Sequence, residues 1–314
     1  MRMRDRFAGW RVPGAMVVTA LLVLTGCGGV NSGAGAAPAG CTAADVDTVD
    51  KGKITVGVFA YMPYIGVTGG KLDGLDGEIL SEAAKNLCLG VVPRETDWDG
   101  VLGNVQSHRV DLGIGGIGWG KERSQKGLFT DPVYYSPPAM AVIGDAAYAT
   151  IDDFTGKKVG TISGYLWEKA IKATPGIAAA KTYPDAVTMF SDLNNGRLDI
   201  GFIDPLLIPY EAKKNPGSKF KISYFEEPTD AQVAAHPDLV NYRQLQISFY
   251  LAKDAPKLEA ALNTEIRKMY ANGKLSALIT KYGGDPAQFL EAAPYQSKLR
   301  AGVDRDAGWT PPSI

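Results

Sequence analysis

Short apolar runs alternate with segments of helical period along most of the chain. "KITVGVFA" (53–60) reads as a strand, followed by a loop, "YMPYIGVTGGKLDGLD". "GEILSEAAKNL" then places Ile79, Ala83 and Leu87 on one helical face. "VVPRE" reads as the next strand. "WDGVLGNVQSHR" sets Trp98, Val101, Leu102 and Val105 on one stripe ahead of the strand "VDLGIGGI". This β-α-β-α-β order predicts an α/β unit with a mostly parallel sheet covered on both faces.

The pattern then restarts. "KKVGTISG" (157–164) is a strand, "YLWEKAIKAT" a helix, "AKTYP" a strand, "DAVTMFSDLNNG" a helix and "RLDIGFI" (197–203) a strand. "SHRVDLGIGGI" and "NGRLDIGFID" fall at the same step of the two runs. Each has a helix end, then Arg, an apolar residue, Asp, an apolar residue and Gly. The match predicts two lobes of like topology. "AMAVIGDA" (139–146) is expected to lead out of the first run, and "QLQISFYLAKDAP" (244–256) to lead the chain back. Two helices follow. Leu258, Leu262, Ile266 and Tyr270 form the face of one, and Leu275, Leu278 and Tyr282 that of the other; each stops at glycine. They are expected to pack on the first lobe. The segment from about Asp285 reads as irregular.

The 314 residues are 45% hydrophobic and 21% charged, ordinary globular values, and the net charge of −1 gives no footprint for nucleic acid. The N-terminus changes this picture. A basic stretch, "MRMRDRFAGWR", precedes an apolar run at 15–25 that is too short to span a bilayer comfortably, and the run ends in "LTGC". Basic start, apolar run, small residue and Cys occur in the order of a bacterial lipobox, in which Cys27 is lipidated and becomes the new N-terminus. An ordinary secretory signal is the competing reading. Removal of residues 1–26 leaves 29 basic and 33 acidic residues, a net charge of −4. The Gly/Ala/Ser-rich stretch after Cys27 reads as a tether. Cys41 and Cys88 remain, an even count that predicts one disulfide in an exported protein, pinning the start of the domain to the end of its first helix, with two separate buried thiols as the competing reading.

Gly113, Gly115 and Gly118 in "DLGIGGIGWGKER" (111–123) fit G-x-G-x-x-G, the spacing of a dinucleotide turn. The context does not. These glycines follow the third strand of the unit instead of the first, and "TDP" breaks the helix after about two turns. What remains is an open strand-to-helix turn with Arg123 beyond it. Open backbone amides together with a guanidinium suit a carboxylate. A solvated helix charge is the competing reading for Arg123.

With these stretches in hand, the chain resembles the family 3 extracellular solute-binding proteins, the amino-acid receptors of bacterial ABC importers. "KITVGVFAYMPY", "GLDGEILSEAAKNL", the run from "WDGVLGNVQ" to "FTDPVYY", "FTGKKVGTISG", "NNGRLDIGFID" and "LNTEIRKMYANGKLSALITKYGG" occur in order over roughly residues 50–290. The resemblance implies a two-lobed periplasmic-binding-protein fold of type II, with mostly parallel sheets, two hinge strands and the ligand between the lobes. It implies that Arg123 takes the ligand α-carboxylate and that Asp204, ending "LDIGFID", takes the α-ammonium. A helix N-cap is the competing reading for Asp204. Phe59, Tyr61 and Tyr64 would supply aromatic walls, and Gly116 and Gly118 backbone donors. Three departures stand out: Gly118 replaces a hydroxyl residue, Trp119 a smaller aliphatic one, and Tyr165-Leu166 a Ser or Thr. The rings at 59, 61, 64, 119 and 165 could then converge on one cleft, with at least one of them lobe core. Such a cleft suits an amino acid or similar zwitterion, with aromatic and methylated-ammonium ligands as sub-cases.

The expected organisation is a signal peptide at 1–26, a tether at 27–45, lobe 1 at 46–143, lobe 2 at 144–245, a return to lobe 1 at 246–290 and a tail at 291–314. The expected protein is a monomer without metal or cofactor, anchored by Cys27 on the outer face of the membrane and docking on an ABC permease. The alternative is an enzyme of the same fold, of the cyclohexadienyl dehydratase type, using a cleft carboxylate such as Asp76 or Glu78. Both acids fit a helix start equally well. No G-x-S-x-G, H-E-x-x-H or C-x-x-C signature occurs, and neither His108 nor His236 has an identifiable nucleophile beside it.

Overall fold

The computed structural model describes residues 40–314; the basic start, the apolar run and Cys27 lie outside the described residues. The first lobe opens with β1 (Lys53–Val58), a hairpin of β2 (Gly66–Thr68) and β3 (Lys71–Asp73), and α1 (Leu75–Asn86). It continues through β4 (Gly90–Glu95), α2 (Trp98–Gln106), β5 (Leu112–Gly113), the single turn α3 (Lys121–Ser124), β6 (Leu128–Phe129) and β7 (Tyr134–Ser136). The second lobe holds β8 (Ala139–Ile143), β9 (Lys158–Ile162), α4 (Trp167–Ala173), β10 (Ala179–Tyr183), α5 (Ala186–Asn194), β11 (Ile200–Phe202), α6 (Leu207–Lys214), β12 (Phe220–Tyr224) and α7 (Asp230–Ala235). β13 (Leu245–Ile247) and β14 (Tyr250–Leu251) lead back to α8 (Pro256–Ala271) and α9 (Lys274–Lys281), which α10 (Pro286–Leu290) and α11 (Gln296–Arg300) follow.

The two sheets run β4-β1-β5-β14-β6 and β10-β9-β11-β8-β12. In each, the first three strands are parallel and the fourth is antiparallel to both neighbours. The fourth strand is the one contributed on crossing between lobes: β14 on the way back and β8 on the way out. β1 is buried from Ile54 to Val58, so its apolar run is unbroken, as a central parallel strand requires.

The repeated Arg-x-Asp step has a mechanical cause. Asp111, just before β5, accepts the Thr55 N–H of β1 at 2.6 Å; Asp199, just before β11, accepts the Lys158 N–H of β9 at 2.7 Å. In each lobe this carboxylate ties the entry of the third strand to the start of the first. Likewise Asp97 caps α2 by accepting Gly100 N–H at 2.7 Å, and Asp185 caps α5 by accepting Thr188 N–H at 2.7 Å.

Three expectations need correction. The outgoing link is β7, paired antiparallel with β13, and not the 139–146 stretch. "AMAVI" is β8, an interior strand of the second sheet, so lobe 2 begins before residue 144, and the 245/246 boundary falls inside β13. Finally, the segment after Asp285 is neither wholly irregular nor loose. It forms α10 and α11, Arg300 is fully buried, and the Tyr135 hydroxyl donates to Pro312 O at 2.6 Å.

α8 and α9 do pack on the first lobe, against α1. Cys41 and Cys88 are bonded, with Cα atoms 5.9 Å apart, and Ala44 N–H donates to Leu87 O at 3.0 Å. The start of the domain is thus fixed to the end of α1, and part of the expected tether at 27–45 belongs to the fold. Closing a loop of this separation, 47 residues, removes denatured-state freedom equivalent to about 4 kcal/mol in the chain-entropy model.

Candidate functional site

The site forms where the two lobes meet. Two residues beyond the end of β11 stands Asp204, only 3% exposed. Its side chain does not cap α6, which has no side-chain cap. It instead crosses to the first lobe and accepts the Tyr61 hydroxyl at 2.7 Å. The loop after β1 brings Tyr61 there, and the neighbouring Tyr64 hydroxyl accepts the Leu206 N–H at 2.9 Å. Two lobe-1 tyrosines therefore grip the segment that follows β11.

The glycine turn faces the same acid. Gly116 has φ +69°, and a Cβ there would stand 3.2 Å from Asp204 Oδ2, so the bare backbone makes room for the carboxylate. A second buried acid holds the turn from behind. Asp76 Oδ2 accepts Gly115 N–H at 2.9 Å and Gly116 N–H at 2.8 Å, while Oδ1 accepts the Tyr134 hydroxyl at 2.8 Å. Asp76 is thus fully engaged in shaping the turn, and Glu78 accepts from Lys281 and Tyr282 on the side of α9.

Arg123, on α3, bridges the lobes from the other end of the turn. Its Nη1 donates to Gly118 O at 3.0 Å and its Nη2 to Gly164 O of the second lobe at 2.7 Å. Its guanidinium lies 5.3 Å from the Trp98 ring centroid. Burial lowers its pKa to about 10, which leaves it a cation at neutral pH. At Gly118 the lobes touch: a Cβ would meet Leu166 Cδ1 at 2.9 Å, so a larger residue would make the Leu166 side chain shift.

Two cavities flank this seam. One of about 620 Å³ is lined by Phe59, Tyr61, Trp98 and Tyr165 at its aromatic end. The other, about 560 Å³, is lined by Trp119, Arg123, Gly164, Tyr165, Leu166 and Gln246. Tyr165 borders both, 6.5 Å from Tyr61 and 4.9 Å from Trp98 between ring centroids. Of the five rings that could share one cleft, with at least one expected in a lobe core, not all line the same cavity. Phe59, Tyr61 and Tyr165 do converge. Tyr64 is fully buried, stacked between Tyr61 and Tyr134 with centroids 5.6 and 6.1 Å away. Trp119 lies on the second cavity, where its indole donates to Asp304 at 3.1 Å. Trp98 takes the place left open in the ring cluster. In the sequence it reads only as part of the apolar stripe of α2; the signal that separates it is its position directly after the N-cap Asp97, at the mouth of the lobe.

The architecture now has counterparts. The sequence profile of the bacterial extracellular solute-binding proteins, family 3, matches residues 54–285. The chain belongs to that family. This family 3 protein is 28% identical over 240 residues to the L-cystine-binding protein TcyJ of Escherichia coli (strain K12), covering 75% of this chain and 84% of that one. Among solved structures it is similar to the substrate binding protein of an amino acid ABC transporter, at 26% identity and TM-score 0.61, covering 74% of this chain and 99% of that one. It is also similar to an ancestral arginine-binding protein bound to glutamine, at 25% identity and TM-score 0.62, covering 75% and 100%. Membership makes this family 3 protein an extracellular solute receptor, and the dehydratase alternative falls away. Among the described residues no helix is long and apolar enough to cross a membrane.

The electrostatics of the seam carry a pH signature. Burial pushes the Asp204 carboxyl up to about 7; the Tyr61 hydrogen bond opposes this and the nearby Asp76 charge adds to it. Burial likewise raises Asp76 to about 6, opposed by its three hydrogen bonds. A carboxyl raised in the folded state binds its proton more tightly there. Its contribution to stability is complete below the ordinary value of 3.8 and is lost as pH rises through about 7. Without added ligand, the melting temperature of the wild type should therefore fall more steeply between pH 5 and 8 than that of Asp204→Asn, which stays neutral throughout. Parallel melting curves for the two proteins would place the Asp204 carboxyl in water.

Proposed function

We propose that this protein is the receptor of an ABC importer and that it holds an amino acid between its lobes. Arg123 takes the α-carboxylate and Asp204 the α-ammonium. The observation that carries this reading is that opposite charges of different lobes each reach across one seam, Asp204 to the Tyr61 hydroxyl and Arg123 to Gly164 O. A zwitterion bridging them stabilises the closed arrangement, because it gains both contacts only when the lobes come together. In that state the ammonium replaces the Tyr61 hydroxyl on Asp204, and the carboxylate replaces Gly164 O on Arg123. The Gly116 and Gly118 backbone and the Tyr165-Leu166 turn line the space between them.

The side chain of the ligand extends into the larger cavity, over Phe59, Tyr61 and Tyr165. The face of Trp98 is already covered by the Arg123 guanidinium. The outer lining of this cavity carries Asp73, Glu95, Asp97, Asp185 and Glu211 against a single base, Lys214. An excess of acids at the mouth of an aromatic cavity favours a cationic side chain, such as a guanidinium or a methylated ammonium, over an acidic one. The relatives named for arginine and cystine fit an amino-acid ligand of this length.

The receptor is a monomer, carried outside the cell and held at the membrane by lipid on Cys27, where its closed form docks on the permease. Cys27→Ser should release it from the membrane fraction into the medium; retention in the membrane would argue against the lipid anchor.

Each charge-assisted contact is worth about 1.5–3 kcal/mol. In calorimetry with L-arginine, Arg123→Ala should therefore weaken binding by roughly a hundredfold, with the melting temperature nearly unchanged, and Asp204→Asn by a similar factor. Wild-type affinity in folded Arg123→Ala would remove this residue from the site.

A further inference from the structure

The match to the family ends at residue 285, yet the chain beyond it makes some of the most buried polar contacts in the molecule. Arg300 is 0% exposed. Its Nη1 donates to Thr130 O at 2.8 Å, its Nη2 to Phe129 O at 3.1 Å, and the guanidinium forks onto Asp304, with Nη2 to Oδ2 at 2.6 Å and Nε to Oδ1 at 3.1 Å. A cation taken out of water needs this many acceptors, and each of them is fixed in place by it.

The carboxylate so held has one further partner. Asp304 Oδ2 accepts the Trp119 indole N–H at 3.1 Å, and the Arg300 guanidinium stands 5.8 Å from the Trp119 ring centroid. Trp119 belongs to the turn that leads to Arg123. On its other side this turn is sewn to the return strand β13: Trp119 N–H donates to Gln246 O at 2.8 Å, and Ser248 N–H to Ile117 O at 3.1 Å. The tail also holds this strand directly. Gln296, likewise 0% exposed, accepts Gln246 Nε2 at its Oε1 at 2.8 Å and donates its own Nε2 to Gln244 O at 2.7 Å. Turn, hinge strand and tail are therefore one hydrogen-bonded body.

We infer that Arg300 and Asp304 are positioning residues for the turn that carries Arg123, acting through the Trp119 indole. The inference rests on the reading that this turn forms the carboxylate half of the site. Arg123 is anchored to the turn itself, through Gly118 O, so a turn free to shift takes the guanidinium with it. Recognition of a carboxylate by a forked pair of bonds tolerates little displacement. The large indole at 119 thus acquires a purpose on the tail side of the turn. It gives the tail a handle on the site.

Hydrogen–deuterium exchange of the full chain without added ligand tests this. Trp119→Phe keeps an aromatic ring but removes the indole N–H together with part of the ring; Asp304→Asn weakens its acceptor. Each should speed exchange in peptides covering residues 115–123 by about tenfold, while β1 and β9 stay within twofold of wild type. The double variant should exchange no faster than the faster single one, because both act through one bond. A role confined to general stability would raise exchange throughout the first lobe alike. Unchanged exchange at 115–123, a lobe-wide rise, or effects that multiply in the double variant would overturn the inference. Should Asp304→Asn fail to fold, Trp119→Phe alone decides by the same criteria. The readout needs no ligand, so it fails or succeeds separately from the assignment of Arg123 to a carboxylate.

Discussion

A carboxylate buried at the meeting of two lobes has to be answered from the lobe opposite, and Asp204 sets this condition for the rest of the structure. Left alone, the ionised group would be costly to bury. The first lobe supplies the Tyr61 hydroxyl, a glycine at 116 that leaves room for the oxygen atoms, and the guanidinium of Arg123 nearby. Each of these has its own support. Asp76 shapes the glycine turn, β13 and the tail hold its far end, and the Tyr64–Leu206 hydrogen bond fixes the lobes laterally. The acid is therefore satisfied by partners that a small cation can replace, as the proposed ligand site requires.

The lobes themselves repeat one construction. The same strand order, the same Asp before the third strand and the same Asp cap on the second helix occur in both. Because the strand that crosses between lobes becomes the fourth strand of the lobe it enters, the short β7–β13 pair is the structural link at the hinge. A hinge motion about such a pair would separate the two faces of the seam without disturbing either sheet. The tail adds an element to this plan, since it contacts the hinge strand and the turn on one side and Glu227 of the second lobe, through the Tyr295 hydroxyl at 2.7 Å, on the other.

Much of the fold was legible because its strongest periodic segments are also its buried ones. β1, α1, α8 and α9 lie within a residue or two of their expected positions along most of their length, since their apolar faces are the faces they bury. The strand expected over "VDLGIGGI" shrinks to Leu112–Gly113, because the glycines turn the backbone towards Asp76 instead of extending the ladder. β7 escaped notice because it lies between Pro132 and Pro137, where proline reads as a breaker. In the site, the family pattern led to Arg123 and Asp204, and the geometry adds that the Asp204 side chain crosses the seam and does not cap α6. Composition could not divide the rings. Tyr64 and Tyr61 are three residues apart in one loop, yet one is interior and the other borders the cavity. Nor could it find the partners of Trp119, which come from residues some 180 positions away.

The central claim is that opposite charges on the two lobes are bridged by one zwitterion. It is tested most directly by calorimetry that compares L-arginine with agmatine, which lacks the carboxylate, and with 5-guanidinovaleric acid, which lacks the α-ammonium. The account predicts that L-arginine binds and that each analogue is weaker by at least a hundredfold, the first through the loss of Arg123 and the second through the loss of Asp204. Binding of either analogue as tightly as the parent amino acid would contradict it.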